Sequence, residues 1–425
     1  MKCQSPHSVI LTEIERHFPA GQPRDRRMLC VASSSQGTAI HPMRPPLKLL
    51  LRHPFYVGKV NRLLAQKAAA MESAAPPRTS APPIGLDLYT PNLLFDGARH
   101  LQTLSQQAHL AGSHFYVRGE SWLLSSVVKK TFGRNMVVQP SMTWLRPDRP
   151  FPLATTVLID VPHDALDPDR SSDRSFTRRP PPPERRIEML IGKDRDVSDP
   201  VMPYPMHPAT IPHAAPVNIR RWRSAHDRRA MLFAGRQQGR HGRATMGARF
   251  GVATRLQILD ALKRLDGKDV AMPIIIRDSD RIPIEAPDWL PFLARHSFFI
   301  CCPGVAQPMC HNIVEAMSVG TIPLVEYGDR MTPKLVDGET AICFSGVDGL
   351  RSAVHRIRRL SKTQLRKMSE NVSEYYDEHL RGDLFLASLR DQTTLPSDAK
   401  LWMPFHDTNF FDDHAHAFPP RPEAS

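Results

Sequence analysis

The stretch "CCPGVAQPMCHNIVEAMSVGTIPLVEYGD", Cys301 to Asp329, holds the residue types best spaced for chemistry. An apolar strand, Phe298 to Cys302, runs into Gly304 and two prolines, and a helix is expected to start near Met309. Proline costs little at a helix start, because the backbone N–H it lacks would be unpaired there anyway. Such a helix presents free N–H groups and the positive end of its dipole at the carboxyl edge of a sheet, which suits an anion. His311 and Asn312 fall in the first turn and can donate hydrogen bonds to it. Glu315 lies one turn further on, on the same face as His311. A carboxylate at that depth can accept two hydroxyl hydrogen bonds from a ribose. The same spacing also fits plain α/β packing, with Glu315 an ordinary exposed helix residue.

The elements that must position these residues follow an α/β pattern from Ile84 onward. "IGLDLY", "HFYVRG", "NMVVQP", "ATTVLIDVP" and "IEMLIGKD" read as strands of a first block. "ARHLQTLSQQAHLAG", with Leu101, Leu104 and Ala108 on one face, and "SWLLSSVVKKTFG" read as its helices. The first helix is expected to stop at Gly112 and the second at Gly133. "DPDRSSDRSFTRRPPPPERR" is a charged, proline-rich loop, and "SDPVMPYPMHPATIPHAAP" a second proline-rich connection. A second block begins near Arg228, with strands "RRAMLFAG", "AMPIIIRD", "SFFICC", "TIPLV" and "TAICFSG". Its helices include "TRLQILDALKRL", "DWLPFLARH" and "SKTQLRKMSENVSEYYDEHL", the last opening on a Ser361–Gln364 capping box. Alternating strands and helices imply parallel sheets, with ligands at the carboxyl ends of the strands. The expected fold class is therefore α/β, two Rossmann-like domains facing across a cleft. The expected divisions are a basic, partly irregular segment and linker over 1–80, a first domain over 81–220, a second over 221–380, and a tail over 381–425. A basic amphipathic helix is expected around Val60 to Met71, followed by the linker "ESAAPPRTSAPP".

Composition narrows the class of function. The chain has 425 residues and is 41% hydrophobic, enough for two ordinary cores. Its formal charge of +13 favours anionic partners: nucleic acid, an acidic membrane surface, or phosphorylated substrates. Arginine-rich surface and tails account for the same charge without a partner. Six scattered cysteines with no CxxC pair indicate reduced, cytosolic usage rather than a disulfide framework. No run of 18 apolar residues occurs, so no transmembrane helix is expected, and the polar N-terminus does not read as a secretory signal. Neither block carries G-x-G-x-x-G after its first strand, which argues against a Rossmann dehydrogenase.

The pattern "CPG", then "P…IVEAMSVGTIPLV", resembles the donor-nucleotide element of GT-B fold glycosyltransferases, and among them most resembles the exostosin-like group. "MLFAGRQQGRHGR", Met231 to Arg243, is similar to that group's strand and "GR" turn, and "GKDRDVSDPVMPY", Gly192 to Tyr204, to its segment before the interdomain connector. The resemblance spans roughly residues 190–350. It implies that Arg236 contacts the donor diphosphate with help from Arg240, that Gly304 and the 309–312 helix start hold phosphate, and that Glu315 holds the ribose. There are two departures. Asn312 stands where that group usually has an arginine, with His311 as a substitute, and Gln307 stands where retaining GT-B families have a second glutamate, eight positions before Glu315. The stereochemical outcome stays open.

The function so implied is transfer of a sugar from a nucleoside-diphosphate donor to a glycan or lipid-linked acceptor, without a metal or cofactor. The leaving diphosphate is stabilised by preorganised donors. The protein is expected in the cytoplasm, in peripheral contact with an anionic membrane, and without nucleic acid as partner. A general base for the acceptor should come from a strand's carboxyl end in the first domain. The candidates are Asp160, His163 and Asp164 after "TTVLI", and His114 and Glu120 flanking "FYVRG". Each such residue is more often a loop residue than a catalyst. "DSD", Asp278 to Asp280, resembles the metal motif of the GT-A fold, but the two-block organisation argues against that fold. The tail's His406, Asp407, Asp412, Asp413, His414 and His416 match no closed metal site. The alternative from another class is a non-catalytic basic protein that holds nucleic acid or polysaccharide. With only 7% aromatic residues, stacking on single strands is disfavoured.

Overall fold

Two parallel sheets organise the chain, seen here in a computed structural model. It describes residues 47–73, 80–160, 185–190, 200–224, 230–238, 247, 250–265, 272–304, 307–392 and 400–404. The first sheet contains β1 (Ile84–Leu88), β2 (Phe115–Gly119), β3 (Met142–Leu145), β4 (Thr156–Ile159) and β5 (Arg185–Leu190), and is completed by β11 (Lys400–Trp402). Its order is β11-β5-β4-β1-β2-β3, and every pairing is parallel. The second sheet contains β6 (Met231–Gly235), β7 (Ile274–Asp278), β8 (Phe298–Cys301), β9 (Ile322–Val325) and β10 (Ile342–Cys343), in the order β10-β9-β8-β6-β7, again all parallel. The expected fold class, α/β with two Rossmann-like sheets, is the one observed. The strands are short apolar runs because both sheet faces are covered by helices.

Helices α1 (Leu47–Ser73), α2 (Arg99–Leu110), α3 (Ser121–Lys129) and α4 (Thr131–Val137) accompany the first sheet. Helix α1 is longer than the expected Val60–Met71. It packs on α3 through the buried Val60, and His53 Nδ1 lies 2.7 Å from the Ser125 hydroxyl. "NMVVQP" is not a strand. Lys130 leaves the helical region, and a second short helix, α4, takes up Asn135 to Val137. Gly133 is therefore no stop: a Cβ there would sit 2.4 Å from the Val127 carbonyl, so glycine allows α4 to pack on α3. Gly112 does end α2, at φ +77°.

The second sheet carries α6 (Arg255–Leu265), α7 (Ala286–Leu293), α8 (His311–Ser318), α9 (Gly346–Ile357) and α10 (Lys362–Tyr375), preceded by α5 (Pro216–Arg223) in the connection. The Ser361–Gln364 capping box forms. Helix α8 starts at His311, two residues later than expected. The segment 381–425, set apart above as a tail, supplies α11 (Gly382–Asp391) and β11 to the first sheet. Leu386, Leu389, Leu401 and Met403 join the first core. Arg185 fastens α11 by donating to the Leu389 carbonyl at 2.9 Å. Conversely, Tyr204, Met206, Ile211 and Ile219 of the connection belong to the second core. The charged loop through residue 184, the 74–79 part of the linker, and the acidic and histidine cluster of 406–416 lie outside the described residues.

Candidate functional site

In the second sheet the chain runs from β6 outward to β7 and then returns to the other side of β6 as β8. A crevice opens at such a reversal, outside the carboxyl ends of the strands. There a cavity of about 280 Å³ is lined by Ala234 and Gly235 at the end of β6, Arg277 and Ser279 at β7, and Trp289 of α7. His311, Asn312 and Glu315 of α8, together with His207 and Thr210 of the connection, complete its wall. The residues that sequence reasoning placed at the helix start thus converge on one pocket.

Glu315 is not the exposed helix residue that plain α/β packing would make it: it is 1% exposed, and both carboxylate oxygens already accept protein donors. Oε1 takes the His207 backbone N–H at 3.0 Å, and Oε2 takes the Trp289 indole N–H at 2.7 Å. The Thr210 hydroxyl adds a further bond, yet burial prevails and pushes the carboxyl up to about 7. A carboxylate has about four lone-pair sites, so capacity for a ligand hydroxyl remains. Glu315 therefore does two jobs: it clasps the connection and α7 to α8, and it floors the pocket.

The His311 and His207 rings meet at a tilt of 54°, with 4.9 Å between their centroids. Burial and the charge of Arg99 drive His311 well below its ordinary pKa and take His207 down to about 4, so both rings are neutral at physiological pH. Arg99 arrives from the first sheet, at the start of α2. It donates to His311 Nδ1 at 3.1 Å and to the Tyr204 hydroxyl at 3.0 Å, and pairs with Asp96 at 3.1 Å. Tyr204 passes the link on to the Met309 carbonyl at 3.1 Å. The turn delivering Arg99 runs through Asp96, Gly97 and Ala98, all at positive φ. The two non-glycine residues cost roughly 1–2 kcal/mol each.

Gly304 is not in the pocket wall. It shapes the turn before α8, since a Cβ there would sit 2.8 Å from the Gln307 carbonyl. Arg236, next to Gly235 in the chain, is not among the residues lining the cavity; its side chain is 57% exposed and paired with Asp280 at 3.1 Å. Gln238 also donates to Asp280 at 2.8 Å, and Asp278 accepts the Asp280 backbone N–H at 3.0 Å. The "DSD" carboxylates are thus engaged by protein groups, and no cluster with metal-site geometry occurs among the described residues. Arg240 lies outside the described residues.

The first-domain candidates separate. His114 precedes β2 and so sits at the amino edge of the sheet, bonded to the Thr143 hydroxyl at 2.9 Å. A parallel strand's amino end faces away from the ligand edge, so His114 is removed as a base. Asp160 follows β4 at the correct edge but is 6% exposed. It accepts from the Tyr89 N–H at 2.8 Å, the Thr90 N–H at 2.8 Å and the Thr90 hydroxyl at 2.7 Å. Burial raises its carboxyl to about 6. Glu120 lies at the carboxyl end of β2 and makes no capping hydrogen bond with its side chain. His163 and Asp164 lie outside the described residues.

Sequence reasoning missed Arg99, Tyr204, His207, Trp289 and Arg277. One signal was available for Arg99: a cation in the first turn of a helix opposes the dipole, and a partner elsewhere has to offset that cost. The histidine and tyrosine of "VMPYPMHP" were the polar-tipped rings in an otherwise aliphatic, proline-rich connection.

No protein-family profile and no curated protein matches this chain. Among solved structures, a glycosyltransferase from Rickettsia africae ESF-5 aligns at 9% identity over 74% of this chain and 100% of its own, with a TM-score of 0.42. WaaG, a glycosyltransferase involved in lipopolysaccharide biosynthesis, aligns at 10% identity over 73% of this chain and 100% of its own, with a TM-score of 0.32. HepE from Anabaena, in complex with UDP, aligns at 10% identity over 72% of this chain and 98% of its own, with a TM-score of 0.34. No described helix is long and apolar enough to cross a membrane.

Proposed function

We propose that this protein is a glycosyltransferase that moves a sugar from a nucleoside-diphosphate donor to a glycan or lipid-linked acceptor. One observation carries the reading: the second sheet's reversal point holds a cavity walled by the first turn of α8 and floored by Glu315. The N–H groups of that turn, with His311 and Asn312, suit a diphosphate. Glu315 suits a sugar or ribose hydroxyl. The exostosin-like resemblance of "MLFAGRQQGRHGR" and "IVEAMSVGTIPLV" supports the same assignment. In this reading Arg236 leaves Asp280 and follows the diphosphate as its charge grows toward the transition state. An exposed pair of this kind is worth under about 1 kcal/mol, so exchanging it costs little. Leaving-group stabilisation is then supplied by the protein's own cations and N–H groups, with no metal required. The acceptor binds on the first-sheet side, and Glu120, at the carboxyl end of β2, is our candidate for the base there. The net charge of +13 suits an anionic membrane bearing that acceptor.

The test is incubation with a panel of UDP- and GDP-sugars, reading released nucleotide, alongside calorimetry with UDP and GDP. Turnover of one donor and saturable binding of its nucleotide are expected. Folded protein that binds and turns over none of them overturns the assignment. Salt-sensitive binding of RNA or polysaccharide in its place would instead favour a non-catalytic binding protein.

A further inference from the structure

We propose that Arg99 is a positioning residue of the second-sheet pocket: it holds His311 in the Nε2–H form, so that the ring donates a hydrogen bond to an anionic ligand there. The inference rests on the pocket assignment above for the identity of the ligand, but not for the state of the ring.

The argument starts from donor inventory. A guanidinium can only donate. Arg99 places one N–H on His311 Nδ1 at 3.1 Å, so Nδ1 must present its lone pair. The other group near Nδ1 is the Cys310 thiol, at 3.8 Å, too distant to compete with a charged donor. A neutral imidazole whose Nδ1 accepts must carry its proton on Nε2. Nε2 meets no protein partner among the described residues, and the ring lines the cavity. Without Arg99, the two forms of a neutral imidazole compete, and the Nδ1–H form turns a lone pair toward the ligand. That lone pair would repel an anion.

Arg99 is itself held on several sides. It is 8% exposed, pairs with Asp96, and donates to Tyr204, whose hydroxyl reaches the Met309 carbonyl just ahead of α8. The residue comes from the first sheet and the histidine from the second, 212 positions apart. The donor character of the pocket therefore depends on the two sheets meeting. A movement that withdraws α2 would release the ring and weaken anion binding.

The test is nitrogen-15 NMR of the imidazole groups in the full chain, with His311 assigned through His311→Gln. The parent is expected to show a neutral ring with Nε2 protonated and Nδ1 bare. Arg99→Met is expected to give a mixture of the two neutral forms and to lower UDP affinity about tenfold, one hydrogen bond's worth, with uridine affinity unchanged. Arg99→Lys, which keeps a charged, donor-only group, should keep the parent form. In a His311→Gln background, Arg99→Met should lower UDP affinity no further. A parent ring protonated on Nδ1 overturns the inference whatever the protein binds, as does Arg99→Met with parental ring state and UDP affinity. A parent with Nε2–H that binds no UDP leaves the ring's positioning standing and removes the nucleotide-sugar assignment. If Arg99→Met does not fold, the parent spectrum and Arg99→Lys decide the matter.

Discussion

Between β1 and β4 the first sheet reverses its strand order, and Asp160 closes that crevice with its own carboxylate. It takes the N–H groups of Tyr89 and Thr90, the backbone donors that a bound anion would need. Between β6 and β8 the second sheet makes the same reversal, but there the carboxylate stands one turn inside the helix. Glu315 draws its partners from His207, Trp289 and Thr210, leaving the first turn of α8 facing the cavity. Two like topologies thus carry a buried carboxylate with a raised pKa, but Asp160 sits directly after its strand and takes the backbone donors there, whereas Glu315 sits one turn inside α8 and an open cavity remains in front of it. Topology supplies the crevice, and the position of one side chain decides how far the protein fills it.

The largest effect is expected from Glu315→Ala, because it strikes clasp and pocket together. It strands the donors of His207, Trp289 and Thr210, and each buried unpaired group costs about 1–3 kcal/mol. Urea unfolding should show a loss of about 3 kcal/mol or more, and calorimetry a tenfold or greater loss of nucleotide affinity. Parental stability with lost affinity would make Glu315 a ligand residue alone; the converse would make it scaffold.

Next is the pH dependence. The Glu315 carboxyl sits at about 7 in the fold against 4.5 for the free side chain. Between those values the folded chain keeps a proton that the unfolded chain has released. Its contribution to stability is therefore complete below the lower value and is lost as pH rises through the upper one. Glu315→Gln removes this titration. Unfolding free energies from pH 4.5 to 7.5 should thus decline less steeply in Glu315→Gln than in the parent, by a difference on the order of 3 kcal/mol across the range. Parallel curves would mean that Glu315 is ionised throughout.

Asp160→Asn gives the smallest effect and is the control on the comparison. It turns one acceptor into a donor facing the Tyr89 or Thr90 N–H, and should cost about 1–2 kcal/mol in the same unfolding assay. Nucleotide affinity should stay within twofold of the parent, since Asp160 is not among the residues lining the second-sheet cavity. A large loss of affinity would show that the first-sheet edge also touches ligand.

Much of this was legible locally. The apolar runs at Met231–Gly235, Phe298–Cys301 and Ile322–Val325 read as strands because parallel strands are buried on both faces and need no alternation. Pro308 and Gly320 bracketed α8 to within two residues at its start. "NMVVQP" failed because its valines favour strand, whereas the chain packs this stretch as α4 against α2 and α3 and forms the strand only at Met142–Leu145.

The amino-acid sequence by itself determined the two α/β blocks, the anion-suited helix start at His311 and the carboxylate one turn behind it, since these follow from short-range periodicity, turn chemistry and helix spacing. It did not determine that β11 would pair with β5, that Arg99 would reach His311, or that Glu315 would be clasped by His207 and Trp289. Those partners are distant along the chain, or on elements whose relative placement no local pattern encodes. Only the packing of the folded chain, which buries both cores at once, brings them within hydrogen-bonding distance.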